Sequence, residues 1–293
     1  LDAGDEVIVP TPCWVSYPDM VRLVGGSPVL VACPAEQGFK LDAATLEAVM
    51  TPLTKWLILN SPNNPTGAVY SSAELKALAT VLRRWPNVWV LSDDIYEKLV
   101  YGAAEFATLA EAAPDLASRI LTVNGVSKSD AMTGWRVGYG AGPSPLIDAI
   151  NLVQGQSSSH TSSISQYAAI AALSGGRSHI ETFRKAFEDR RRLVVDRIGR
   201  IPGLACAEPD GAFYAFVDCR GVLGNRTPSG DVLTTDVAFC TYLLDAGVAV
   251  VPGSSFFAPG YFRMSYASAE DVLARACARL EVACASLERQ DVR

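Results

Sequence analysis

Histidine is scarce in this chain, since only His160 and His179 occur among its 293 residues. A zinc site with three histidine ligands is therefore excluded, and a catalytic Ser-His-Asp triad is disfavoured. The seven cysteines are scattered along the chain and lack the CxxC spacing that metal sites use. We therefore predict a cytoplasmic protein with reduced, buried thiols, no metal site, and a catalytic base other than histidine.

An excess of positive charge and a long apolar run are also missing. The formal net charge is −6 and no stripe of lysine and arginine interleaved with aromatic residues occurs, so no nucleic-acid partner is expected. No apolar run reaches the roughly 18 residues of a membrane span, so no membrane partner is expected. The 49% hydrophobic and 19% charged residues are typical of a globular enzyme or binding protein.

The first half of the chain alternates short apolar strands with helical patterns. Strands are predicted at 6–10, 28–32, 55–60, 88–93, 120–123 and 136–140, and helices at 42–50 and 73–84. Ser71 and Glu74 form the capping-box pattern that starts the second helix. This alternation predicts an α/β fold, with a large domain whose mostly parallel, seven-stranded-type sheet is sandwiched by helices. Ligands of such sheets bind at the carboxyl ends of the strands.

The second half of the chain has a different composition and a different order of predicted elements. Residues 154–166 are rich in serine and threonine, and are predicted to form a short buried loop before a helix at 166–173, with a flexible linker as the alternative. A long charged helix at 180–200 follows. Strands at 212–218, 248–252 and 261–265 and helices at 232–246 and 269–287 then predict a smaller α+β domain. We expect two domains, 1–180 and 181–293, joined by the long helix.

One predicted strand end carries polar side chains suited to a nitrogen heterocycle. Asp93 ends the apolar run VWVLSD, where burial raises a carboxyl pKa unless a cation partners it. An aspartate in that position can hold an aromatic nitrogen protonated, and Tyr96 can reach the same ligand from the next turn. A helix cap at Asp93 and a packed Tyr96 are the structural alternatives.

Other strand ends carry an amine, an amide and a guanidinium. Lys128 follows the strand at 120–123 among small residues, and a partly desolvated lysine beside other cations forms Schiff bases with carbonyls. Asn64 lies in the turn NSPNNPTG, which could also be only a rigid turn. Arg136 is suited to bidentate contact with a phosphate. Together with Asp93 these groups match pyridoxal phosphate, which binds a lysine and pairs its ring nitrogen with an aspartate.

Four segments extend this match to a protein family: NNPTG (63–67), SDDIYEKLVY (92–101), NGVSKSDAMTGWRVGYG (124–140) and PGYFRMSYA (259–267). In order and spacing the chain resembles the fold-type I pyridoxal-phosphate-dependent aminotransferases of class I/II. It is most similar to their bacterial aspartate aminotransferase-like subgroup. The likeness covers essentially the whole chain.

The resemblance implies a role for each matching residue at the cofactor ring. Lys128 would be the Schiff-base lysine and proton shuttle, and Asp93 the partner of the pyridinium nitrogen. Tyr96 and Asn64 would donate to the phenolic oxygen of the ring. Trp14 would pack against the ring, with an ordinary core aromatic as the alternative.

The resemblance also implies roles at the phosphate and the substrate. Arg136 and Ser127 would hold the phosphate, and Arg263 would bind the α-carboxylate of the substrate, next to Asn64 and Trp14. The chain departs from the family at Asp94, where a glutamate is usual, and at Gly125, where many relatives have a phosphate-binding serine. It also has no arginine at 154–156, where classical members bind the distal carboxylate.

These features predict an aminotransferase that moves an amino group between an L-amino acid, best guessed as aspartate, and a 2-oxo acid such as 2-oxoglutarate. A β-eliminating lyase is the alternative on the same fold. A truncated, non-catalytic relative is the third hypothesis, because the chain starts at Leu1 and about a hundred family residues are expected before it. That segment would include phosphate-binding groups and a tyrosine lent across a homodimer.

Overall fold

A six-stranded sheet forms the centre of the first half of the chain. The computed structural model describes residues 1–288. The strands of this sheet are β1 (Glu6–Thr11), β2 (Ser27–Ala32), β3 (Thr54–Asn60), β4 (Trp89–Asp93), β5 (Ile120–Gly125) and β6 (Gly138–Ala141). Their order is β2-β1-β3-β4-β5-β6, and only β6 runs antiparallel to its neighbour. The predicted mostly parallel sheet is confirmed, and each of its six strands overlaps a predicted strand.

Helices pack on this sheet and complete its core. They are α1 (Ser16–Leu23), α2 (Ala43–Val49), α3 (Ser72–Arg84) and the single turn α4 (Leu109–Ala112). The predicted capping box is confirmed, because the Ser71 hydroxyl accepts from the Glu74 N–H and the Glu74 carboxylate accepts from the Ser71 N–H. Leu78 and Leu82 of α3 are buried against Leu57 of β3, so the apolar stripe of this helix faces the sheet.

The second half contains five helices and a second sheet. The helices are α5 (Ser144–Ser157), α6 (Ser163–Ser174), α7 (Ser178–Ile198), α8 (Asp236–Asp245) and α9 (Glu270–Ala285). The strands are β7 (Ala205–Cys206), β8 (Tyr214–Asp218), β9 (Val251–Pro252) and β10 (Tyr261–Ser265). They pair antiparallel in the order β7-β8-β10-β9 and share a core with α7, α8 and α9. A smaller α+β unit is thus present, as predicted.

The prediction of a buried loop at 154–166 is wrong. Residues 154–157 are the last turn of α5, residues 163–166 are the first turn of α6, and most of this segment is exposed. Serine-rich composition indicated a loop, but serine is tolerated on an exposed helix surface where no packing opposes it. Helix α5 itself was not predicted.

The register of the first sheet brings three strand ends side by side. Asn60 at the end of β3 pairs with Asp93 at the end of β4, and Asp93 pairs with Val123 of β5. All three strands are parallel, so the chain segments that follow them leave the same edge of the sheet. Polar residues in these segments therefore lie together. In the described part of the chain no helix has the length and apolarity to cross a membrane.

Candidate active site

A cavity of about 460 Å³ opens at this edge of the sheet, and β8 and β10 of the second sheet close its far side. Its size falls within the range of about 300–1,000 Å³ that is usual for small-molecule sites. The residues that line it are Trp14, Tyr17, Asn60, Asn64, Asp93, Ile95, Tyr96, Val123, Asn124, Lys128, Tyr214 and Arg263. Six of the eight site residues predicted from the sequence are therefore brought together.

The Asp93 carboxylate is held by two donors at the floor of the cavity. The Tyr17 hydroxyl donates to Oδ2 at 2.5 Å, and the Ile95 N–H donates to Oδ1 at 3.2 Å. Burial raises the pKa of Asp93, while these two hydrogen bonds and the charge of Lys128 act to lower that pKa. A cation against the carboxylate would lower the pKa further, which suits Asp93 to pair with a protonated ring nitrogen.

Lys128 lies in the turn that follows β5, and its amine faces Asp93 across the cavity. Partial burial lowers the pKa of Lys128, and the positive charges of Arg263 and Arg136 lower that pKa as well, against the opposing effect of Asp93. The Nζ atom lies 5.7 Å from the ring centres of Tyr96 and Phe213. A lysine with a lowered pKa has a larger neutral, nucleophilic fraction at neutral pH.

Arg263 of β10 reaches across from the second sheet to the first. Its Nη1 donates to Asn64 Oδ1 at 2.8 Å, and its guanidinium lies 4.4 Å from the Tyr214 ring and 4.9 Å from the Phe256 ring. Its buried Nε has no hydrogen-bond partner in the described structure. The guanidinium therefore keeps donor capacity for a carboxylate in the cavity.

Tyr96 is 2% exposed, and its hydroxyl lies 2.8 Å from the hydroxyl of Tyr214. Burial raises the pKa of Tyr96 well above its ordinary value, and the nearby Tyr214 raises that pKa further. The phenol therefore stays neutral at physiological pH, and a neutral phenol is a hydrogen-bond donor. Tyr96 both lines the cavity and packs in a buried cluster with Leu99 and Tyr214, and its donor role remains a prediction.

The remaining predicted residues have different positions. Trp14 is 39% exposed and meets Tyr17 edge to face at 5.3 Å, so it forms a wall of the cavity. Ser127 and Arg136 are not among the lining residues: the Ser127 carbonyl accepts from the Thr133 hydroxyl, and exposed Arg136 donates to the Thr133 carbonyl. Arg136 is near enough for its charge to act on Lys128. The phosphate roles of both remain predictions.

Sequence reasoning missed Tyr17, Asn60 and Tyr214. A signal for Tyr17 existed, because it lies only three residues after Trp14, whose carbonyl accepts from the Tyr17 N–H at the start of α1. The Asn60 amide donates to the Asp93 carbonyl at 2.9 Å and its Oδ1 accepts from the Asn64 N–H at 2.8 Å, which fixes both neighbours. This link depends on strand register, which the sequence does not reveal.

The structure explains why a glycine occupies position 125. A Cβ atom there would lie 2.8 Å from the Val137 carbonyl oxygen and 3.2 Å from the Gly138 Cα. Both are backbone atoms of the chain entering β6, which cannot move without disturbing its pairing with β5. The serine of many relatives is therefore sterically excluded from this backbone as it stands.

Comparison with known proteins identifies the family to which this site belongs. Residues 1–280 match the sequence profile described as aminotransferase class I and II. The chain belongs to the class I and II aminotransferases. The aspartate aminotransferase of Rhizobium meliloti strain 1021 is 53% identical over 97% of this chain and 70% of its own length. The aspartate/prephenate aminotransferase of Cereibacter sphaeroides is 53% identical over 98% of this chain and 72% of its own length.

Solved structures give the same fold. The crystal structure of the Rhizobium meliloti aspartate aminotransferase matches with a TM-score of 0.96 at 52% identity, over 98% of this chain and 72% of that one. The aspartate aminotransferase of Thermus thermophilus with maleate matches with a TM-score of 0.88 at 40% identity, over 97% and 71%. Members of this family transfer amino groups between amino and 2-oxo acids with pyridoxal phosphate, so the predicted reaction and cofactor are confirmed.

The cavity fits that cofactor on its own chemistry. It presents an amine with a lowered pKa, a carboxylate held by two donors, and a neutral phenol. These are the groups that a carbonyl carbon, a protonated pyridine nitrogen and a phenolic oxygen require. In the described residues no group of three or more histidine, cysteine or acidic side chains could hold a metal ion.

Tyr17→Phe should weaken cofactor binding. Loss of the hydroxyl removes a donor that lowers the Asp93 pKa, so that pKa rises further. A hydrogen bond to a charged group contributes about 1.5–3 kcal/mol, which corresponds to a roughly ten- to hundredfold rise in Kd. The rise should be larger at mildly acidic than at mildly alkaline pH, because a carboxyl with a higher pKa stays protonated further up the pH scale.

Titration of the protein with pyridoxal phosphate, followed by absorbance, measures this Kd. Tyr242→Phe is the matched control and should leave Kd unchanged, because the Tyr242 hydroxyl donates to the Ala283 carbonyl outside the cavity. An unchanged Kd in Tyr17→Phe would show that the hydroxyl does not support Asp93.

Proposed function

We propose that this chain transfers the amino group of aspartate to a 2-oxo acid such as 2-oxoglutarate, with Lys128, Asp93, Tyr96, Asn64, Arg136, Ser127, Trp14 and Arg263 forming its site. The observation that carries the proposal is the convergence of the Lys128 amine, the Asp93 carboxylate and the Arg263 guanidinium on one cavity. Aspartate is favoured by the names of the relatives, several of which are aspartate or aspartate/prephenate aminotransferases.

The chain supplies proton transfer and charge, while the cofactor, when bound, withdraws electrons from the α-carbon of the substrate. Lys128 would hold the cofactor covalently, and its neutral amine would take up and return the α-proton of the substrate. Asp93, held in place by Tyr17, would keep the ring nitrogen protonated. Tyr96 and Asn64 would donate to the phenolic oxygen.

Arg263 is proposed to bind the α-carboxylate of the substrate. Its planar guanidinium is anchored between two aromatic rings, and its hydrogen bond to Asn64 can give way to a charged carboxylate, a stronger acceptor than an amide oxygen. The Thermus thermophilus enzyme was solved with maleate, a dicarboxylate, which agrees with a site for dicarboxylic substrates in that protein.

Lys128→Ala should abolish covalent attachment of pyridoxal phosphate, measured as mass added after borohydride reduction. Lys98→Ala is the control, because Lys98 pairs with Glu97 outside the cavity and should label normally. Asp93→Asn should keep the covalent attachment but lose nearly all turnover, since a neutral amide cannot hold the ring nitrogen protonated. Labelling of another lysine in Lys128→Ala would overturn the assignment.

Arg263→Ala should raise KM for the amino acid while leaving the Kd of the cofactor nearly unchanged. A charge-assisted hydrogen bond contributes about 1.5–3 kcal/mol, so KM should rise roughly ten- to hundredfold. Steady-state kinetics measures this split. Arg275→Ala, on the exposed surface of α9, is the matched control. A normal KM in Arg263→Ala would reject the role.

We also propose a cytoplasmic homodimer with a boundary between two domains at residue 180. The seven cysteines are free thiols, as in a reducing compartment. One hydrophobic core is built wholly before residue 121 and another wholly after residue 186, on either side of the start of α7, which supports the boundary. Helices α5 and α6 expose an apolar face, which we assign to a second copy of the chain: Leu152, Val153, Ile164, Tyr167, Ile170 and Leu173.

Ile164→Glu combined with Tyr167→Glu should convert a dimer to a monomer, because two charges in an apolar contact lose solvation without a partner. Sedimentation velocity measures the change in mass. Leu23→Glu, at an exposed apolar position on α1, is the control and should keep the dimer. A wild-type chain that sediments as a monomer, or a dimer that survives both charges, would contradict this assignment.

A further inference from the structure

Outside the cavity, a contact between two side chains joins the turn that carries Lys128 to helix α7. His179, the second residue of α7, places Nε2 3.1 Å from Oδ1 of Asp130, two residues after Lys128. The side chain of Asp130 is only 4% exposed, and that of His179 is 38% exposed. Neither residue lines the cavity, so neither touches the substrate or cofactor.

The turn needs an external restraint because its backbone is strained. Ala131 has φ of 54°, in the left-handed region that is unfavourable for a residue with a Cβ. Three hydrogen bonds of 3.0–3.2 Å brace the turn from within: Ala131 N–H to Lys128 O, Met132 N–H to Val126 O, and the Thr133 hydroxyl to Ser127 O. Strained conformations persist where the surroundings over-determine them, and the His179–Asp130 contact adds a tie from another element.

The imidazole is itself fixed by its surroundings. Its Nδ1 lies 3.1 Å from the Gly176 carbonyl oxygen, and its ring meets Phe183 edge to face at 6.0 Å. Both ring nitrogens thus face acceptor oxygens, which hold the ring in one orientation. Asp130 is buried, so removing His179 would leave its carboxylate as an unsatisfied hydrogen-bond acceptor.

We propose that His179 is a positioning residue that holds the Lys128 turn in its strained conformation through Asp130. This inference rests on the proposed role of Lys128 in proton transfer. Its consequence is that α7, the helix at the proposed boundary between the two domains, helps to set where the Lys128 amine lies.

Hydrogen exchange of the cofactor-free chain tests the restraint without any need for activity. In His179→Phe, the amides of a peptide covering residues 126–133 should exchange roughly three- to tenfold faster, because the turn opens more often once a bond to a charged group is lost. Peptides from β1 and β3 should be unchanged. His179→Gln keeps a donor near the Nε2 position and should restore much of the protection. His160→Phe, at an exposed histidine whose Nδ1 lies 3.0 Å from the carbonyl oxygen of its neighbour Thr161, is the control.

A double-mutant cycle separates this contact from general loosening of the fold. Asp130→Ala should speed exchange by a similar factor, and the double variant should be no faster than either single one, because all three lack the same interaction. Additive effects would overturn the proposal, as would normal exchange in His179→Phe.

Kinetics then tests the link to Lys128. In His179→Phe, kcat should fall by roughly three- to tenfold while KM for the amino acid stays unchanged, since Arg263 is untouched. Equal kcat together with faster exchange would show that the tie is structural only. Absence of turnover in the unsubstituted chain would instead count against the proposed function. The exchange experiment would then still test the contact between His179 and Asp130.

Discussion

The site depends on the register of three parallel strands. Asn60, Asp93 and Val123 lie at one level because β3, β4 and β5 pair side by side. A shift of β4 by one residue would turn Asp93 to the other face of the sheet, since side chains alternate along a strand. The side-chain amide of Asn60 stabilises this alignment of the strands by donating to the Asp93 carbonyl. Backbone pairing thus fixes the carboxylate before any ligand binds.

Burial at this edge has opposite effects on the two central groups, and both effects suit the chemistry. Desolvation lowers the pKa of Lys128 and raises that of Asp93, because it disfavours the charged form of each. For the lysine this increases the nucleophilic fraction. For the aspartate the rise in pKa has to be offset, and hydrogen bonds from the Tyr17 hydroxyl and the Ile95 N–H offset it. Hydrogen-bond donors to the Asp93 carboxylate are therefore as necessary as the carboxylate itself.

The elements of the fold could largely be predicted because they depend on local pattern. Strands β1 and β3 are apolar and mostly buried, and α3 has a capping box and an amphipathic stripe, so each leaves a signal in adjacent residues. Helix α5 was missed because its apolar residues are exposed and form no buried stripe. The polar residues at strand ends could be identified from their positions and chemistry, whereas Trp14, Ser127 and Arg263 were identified by the family resemblance.

Contacts between distant residues could not be predicted in the same way. Tyr17 and Asp93 are 76 residues apart, and Asn64 and Arg263 are 199 apart. Nothing in the local sequence of either pair encodes the partner, because the contact exists only after the strands are registered and the second sheet has packed beside the first.

The Asn64–Arg263 bond has a further consequence, since it joins the two sheets directly across the cavity. A substrate carboxylate that takes over the guanidinium replaces a neutral acceptor with a charged one, so substrate binding should strengthen the attraction between the walls of the site. Arg263 is held on two aromatic rings of its own half, Tyr214 and Phe256, so it keeps its place while its partner changes. On its proposed role, Arg263 would thus hold the substrate carboxylate from the second half of the molecule, opposite the residues of the first sheet.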